Sequence, residues 1–281
     1  MCKKLIVFLG VIFIINATSY GQDEKLAVLQ WKTEKKLEIP ESVKYYAIED
    51  VLFVSSIDGR PDVKDNDGFI SKVNLKGEII KLNWVEGISA PKGMGIFDGK
   101  LYVSNIDQLV EIDIAKAKII NRYNAPEAKF LNDVAVDETG NVYVSGMATK
   151  KIYRLNKGKF EVWLESTDLL NPNGLFVEKD KLLIGNYGYI LSVDLISKDT
   201  KKIILNTGSI DGLVPDGKGG YLISDWAQNI HLVHPKKEKV KILSTGSKNI
   251  NAADIEYIPE KKLLLVPTFF DNSVRAYKIG Y

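Results

Sequence analysis

Cysteine is almost absent: the 281 residues hold one, Cys2, in the leader segment described below. The remainder can form no disulfide and offers no thiol chemistry, so core burial alone must hold it together. Histidine is nearly as scarce. His231 and His234 lie in or just after the third strand of the fifth repeat defined below, and read as structural or surface residues. No G-x-S-x-G elbow and no phosphate-binding glycine loop occurs. A surplus of one charge is also missing. Lys3 and Lys4 lie in residues 1–21; without them the 38 Lys and Arg fall to 36, matching 36 Asp and Glu. That balance argues against a nucleic-acid partner, which needs a basic stripe. The apolar run Leu5 to Ile15 is too short for a comfortable membrane span, so none is expected.

What is present is ordinary globular composition, 45% hydrophobic and 26% charged, enough for one large all-β domain. Residues 1–21 read as a signal peptide: Lys3 and Lys4, the apolar run, then small Ser19 and Gly21 before Gln22. No cysteine follows the run at a lipoprotein-like position. The expected product is a free, exported protein, periplasmic or extracellular, monomeric, with residues 22–281 as a single domain.

That domain repeats itself. In LNDVAVDETGNVYVSG, residues 131–146, VAV and VYV alternate at the strand period around a DETGN turn, which makes a hairpin. The same unit recurs at Glu41, Lys92, Asn132, Asn173, Asp211 and Ala253, at intervals of 51, 40, 41, 38 and 42 residues. Each copy continues into a second strand (VLFVSS, KLYVSN, NVYVSG, KLLIGN, GYLISD, KLLLVP) and a third, and most into a fourth. Four strands per roughly 40 residues are propeller blades, and six copies predict a six-bladed β-propeller. The last copy has only three strands. The unused segment LAVLQW, residues 26–31, is expected to supply the fourth and close the ring. The long first interval contains DGRPDVKDNDG, residues 58–68, read as a solvated loop. Val63 occupies the position where a D-x-[DN]-x-[DN]-G calcium loop needs an acid.

The first strand of a blade lines the central channel, so the six residues leading into these strands converge at one end. They are Glu41, Lys92, Asn132, Asn173, Asp211 and Ala253, followed one residue on by Ser42, Gly93, Asp133, Gly174, Gly212 and Asp254. Two carboxylates and two carboxamides are oxygen donors suited to a hard cation. Gathered without one, the carboxylates would repel and shift their pKa values. Asp133 and Asp254 read as backbone or inter-blade partners. Loops after the second strands ring the same mouth with Asn105, Asp107, Met147, Asn186, Tyr187, Trp226, Gln228, Phe269, Phe270 and Asp271. Tyr187, Trp226 and Phe270 are expected either to stack on a substrate or to pack between loops. Lys92 is a cation in an oxygen-donor ring, with three readings open: it turns outward to solvent, it pairs with Glu41 or Asp211 in place of a metal, or it binds an anionic substrate group.

Four stretches, PESV, LNDVAVD, PNGL and IDGL, one per blade at blade-length spacing, make the chain resemble the SMP-30/gluconolactonase/LRE-like family. The resemblance covers essentially all of residues 22–281. It implies a central divalent cation held by Glu41, Asn173 and Asp211, with Asn132 at the metal or beside it at water and substrate. Calcium is the first expectation, zinc or magnesium the others. It further implies hydrolysis of lactones or related esters, a sugar-derived substrate among them, with Asp211 as general base and Asn132 near the substrate; Lys92, Tyr187 and Trp226 are candidate substrate contacts from their place at the mouth, not from the resemblance. Such chemistry needs no Ser-His pair. The alternative expectation is a non-enzymatic propeller that binds a glycan, peptide or protein through the mouth loops. A structural calcium plugging the channel is a third.

Overall fold

The computed structural model describes residues 26–246 and 250–280; the expected signal peptide lies outside the described residues. The described chain is all-β, with 24 strands in six four-stranded antiparallel sheets and two three-residue 3-10 turns. Each sheet is a blade, and five of the six are consecutive in sequence. Their innermost strands are Pro40–Tyr46, Pro91–Phe97, Leu131–Val136, Leu175–Glu178 and Leu213–Pro215; Glu256–Ile258 is innermost in blade six.

Blade six closes as expected. Ala27–Lys32 pairs antiparallel with Val274–Ile279, from Ala27 opposite Ile279 to Lys32 opposite Arg275. The N-terminal strand thereby covers the sheet edge that the three C-terminal strands would leave bare.

Burial follows position within the blade. Second strands such as Val51–Ser56 are buried at every residue, which explains why their sequences read as continuous apolar runs rather than clean alternation. Outer strands such as Lys118–Asn124 are mostly exposed and correspondingly polar. The core has six apolar seams between adjacent blades and a seventh buried cluster of Ile57, Ala90, Ile106, Ala253 and Phe269 near the cavity. Phe53 and Ile70 meet Met94 and Val103 at the first seam, and Val54 and Val73 meet Leu265 and Val274 at the last. The other four join blades two to six in order.

Close approach at the axis needs small residues. A Cβ on Gly174 would stand 2.5 Å from the Asp211 carbonyl oxygen, and one on Gly212 would stand 2.6 Å from the Ile255 nitrogen. Both glycines belong to the second column read from the sequence, and their side of the chain is where one blade meets the next. Asp133 and Asp254 act there as inter-blade brackets. Asp133 accepts from the amide of Leu175 in blade four at 2.5 Å and from Val134 at 2.6 Å. Asp254 accepts from the Ser42 hydroxyl of blade one at 2.6 Å, while its amide donates to the Glu41 carbonyl at 2.9 Å.

Candidate active site

The residues leading into the inner strands are aimed inward by local irregularity. Ladder register shifts between Pro40 and Ser42, between Pro91 and Met94, and between Leu131 and Val134. Glu41, Lys92 and Asn132 therefore sit in bulges, which re-aim a side chain out of its pleat position. Serines of the second strands brace the same turns. Ser55, Ser145 and Ser224 accept the amides of Ser42, Asp133 and Gly212 at 3.0, 2.8 and 2.8 Å.

One cavity of about 410 Å³ receives the outcome. Glu41, Lys92, Asn132, Asn173 and Asp211 all line it, so five blades contribute a polar side chain. Blade six contributes none: Ala253 is fully buried, and its carbonyl accepts from the Ser224 hydroxyl at 2.7 Å. The rest of the wall is apolar and includes Ile57, Phe130, Met147, Trp226, Phe269 and Phe270. The three rim aromatics pack edge to face, Trp226 with Phe269 at 4.6 Å between centroids and Phe269 with Phe270 at 4.8 Å.

The polar floor is desolvated. Glu41 is 5% exposed, and its Oε2 has no hydrogen-bond partner. Burial pushes its carboxyl well above the usual range, and Asp211 adds to the rise while Lys92 opposes it. Asp211 accepts from the Asn173 amide at 2.8 Å. Burial raises its pKa to about 6, with the Asn173 bond holding it down and Asp225 pushing it up. Lys92 does not turn outward. It is 1% exposed, donates to the Pro61 and Ala90 carbonyls at 3.1 and 3.2 Å, and lies 4.5 Å from the Phe130 ring centroid. Burial lowers its pKa to about 8, against the pull of Glu41 and Asp62. No ion pair within 4 Å joins it to Glu41 or Asp211 among the described residues.

The donor chemistry fits a hard divalent cation. Glu41 Oε2 is an orphaned buried acceptor, and Asp211 faces the same space. No group of three Asp, Glu, His or Cys that could hold a metal occurs among the described residues. A cation held here would therefore also need the amide oxygens of Asn132 and Asn173. The Asn173 amide presents its NH2 to Asp211, and would have to turn over to offer its oxygen.

Of the other residues singled out from sequence, Trp226 lines the cavity, whereas Tyr187 is 64% exposed and is not among the lining residues. His231 and His234 are also absent from the wall. The loop of residues 58–68 departs from its reading as a merely solvated segment. Gly59 and Pro61 form part of the wall, and Lys64 bonds Asp107 of blade two at 2.5 Å. Wall residues that were not anticipated include Ile39, Phe130 and Ser209. Each lies two residues before Glu41, Asn132 or Asp211, so the period-two rule extended backwards past the strand would have found them.

These features define a six-bladed β-propeller with a polar-floored central cavity. No protein-family profile and no curated protein sequence matches the chain. Similar solved structures include a catalytically inactive variant of virginiamycin B lyase from Staphylococcus aureus with quinupristin. It has 12% identity and a TM-score of 0.62, over 89% of this chain and 98% of that one. A streptogramin B lyase has 11% identity and a TM-score of 0.63, over 86% and 94%. The extracellular domain of a hybrid two-component system from B. thetaiotaomicron has 15% identity and a TM-score of 0.57, over 84% of this chain and 33% of that one. At these identities the likeness is one of fold. No helix among the described residues is long and apolar enough to cross a membrane.

Proposed function

We propose that the chain is an exported hydrolase of lactones or related esters, of the SMP-30/gluconolactonase type, with a divalent cation at the floor of its cavity. The observation that carries this reading is the convergence of Glu41, Asn132, Asn173 and Asp211, from four blades, on one desolvated cavity. Blade geometry alone brings these positions to one end; beyond that, four of them are oxygen donors and Glu41 leaves a buried acceptor unpaired.

Glu41, Asp211, Asn173 and Asn132 would hold the cation. The chemistry it supplies when bound is Lewis-acid polarisation of a carbonyl and acidification of water. The protein's own residues do the rest. Asp211 takes a proton from the attacking water as the new C–O bond forms; it then returns it to the ring oxygen as the ester C–O bond breaks. Before a cation binds, Asn173 holds Asp211 in place through its amide N–H; turned over, it offers its oxygen to the cation instead. The aromatic rim excludes water and packs on the body of the substrate.

Two measurements on residues 22–281 test the reading. Metal analysis is expected to find near-stoichiometric divalent cation in the wild type, lost in Asn173→Ala and Asp211→Ala. A lactone and ester panel is expected to show turnover that chelator abolishes. Metal-free protein that opens no lactone would refute the reading and favour a binding module.

A further inference from the structure

The floor of the cavity holds one charge that hydrolysis does not use. Glu41, Lys92 and Asp211 are the charged side chains in its wall. On the function proposed above, a divalent cation cancels the Glu41 and Asp211 carboxylates. The Lys92 ammonium then remains buried, and the other carboxylate acting on it, Asp62, is exposed and already paired with Arg60. Its surroundings keep it charged: two carbonyl oxygens and the face of Phe130 all favour a cation. Yet an ammonium has three N–H donors and these carbonyls take two. Burying a charge without a partner is costly, and the cost is recovered when a ligand supplies the counter-charge. The cavity wall is otherwise largely apolar and includes Ile57, Phe130, Met147 and Trp226.

We propose that Lys92 anchors a carboxylate of the ligand, so that the site selects small molecules, lactones and esters among them, that carry a carboxylate and an apolar body over wholly neutral or polyhydroxylated ones. The buried charge sets the sign of the ligand's head, and the apolar wall sets the character of its body. A polyol would leave its hydroxyl groups against Ile57, Met147 and Phe130, where none of these side chains offers a strong hydrogen-bond partner. This inference rests on the site proposed above, and its test does not use turnover.

The probes are 4-phenylbutyrate and its neutral isostere 4-phenylbutanamide, neither of which is an ester. Calorimetric titration into residues 22–281 with calcium is expected to show the carboxylate binding at least tenfold tighter than the amide. In Lys92→Met, that ratio should fall to within about twofold while the metal content stays at the wild-type value. Equal binding of the two probes to the wild type would overturn the proposal without any variant. A preference that persists in Lys92→Met would also overturn it, and would move the anion to the metal. The two readings fail separately. Lactone turnover without carboxylate preference would sink this inference alone; a Lys92-dependent preference in a protein that opens no lactone would sink the hydrolase alone.

Discussion

Asp211 should weaken the fold that carries it. Burial raises its carboxyl to about 6 in the folded chain, against 3.8 for a free carboxyl of its kind. A raised carboxylate means the folded state binds the proton more tightly than the unfolded one. Stability is then complete below the unfolded value, and is lost as pH rises through the folded one, here between about pH 4 and pH 6. Each pH unit of displacement corresponds to about 1.4 kcal/mol, so ionised Asp211 costs the metal-free fold at most about 3 kcal/mol at pH 7.5. At pH 4 the same linkage leaves about 0.6 kcal/mol. Asp211→Asn removes the charge but keeps an oxygen for the Asn173 amide. In chelator, urea denaturation at pH 7.5 should therefore find the variant more stable than the wild type by about 1–3 kcal/mol, the gain shrinking several-fold at pH 4. Saturating calcium should reverse the order, because only the wild type gains binding free energy. A variant that is no more stable at pH 7.5 in chelator, or a gain that does not change with pH, would show that the carboxylate is not strained by burial.

Other outcomes follow from the same structure. Asp133→Ala removes the acceptor for the Leu175 and Val134 amides, so two buried donors lose their partner. It should cost about 2–4 kcal/mol in chemical denaturation. Phe53→Ala, in the first seam, should cost about 3–5 kcal/mol with no change in metal content. Trp226 is 45% exposed, so Trp226→Ala should leave stability within about 1 kcal/mol. It should nonetheless weaken binding of apolar ligands by roughly tenfold, measured by calorimetry. Deleting residues 22–32 bares the edge strand Val274–Ile279, and should produce concentration-dependent association in sedimentation experiments.

The blade count, the hairpins and the closing strand were legible because repetition amplifies a weak local signal. Ala27–Lys32 was recognisable as the missing strand from simple subtraction. The inward residues were legible because they recur at one blade position, and the bulges that aim them coincide with the polar break in each alternation. Tyr187 misled: it shares its loop position with Trp226, but the blade-four loop leaves it in solvent. Lys92 could not be oriented from sequence, since its partners are main-chain carbonyls, one from the distant loop at Pro61. That loop's role in the wall was hidden for the same reason. Its composition reads as solvated, and its placement depends on tertiary contacts such as Lys64 with Asp107.

The most direct test of the account is the initial rate of lactone opening, followed by proton release, for the wild type and Asp211→Asn with calcium, zinc or magnesium supplied. The account predicts turnover above buffer for the wild type and a loss of about 10²–10⁴-fold in the variant, the share a general base contributes. Equal rates for the two proteins, or none above buffer for either, would contradict it.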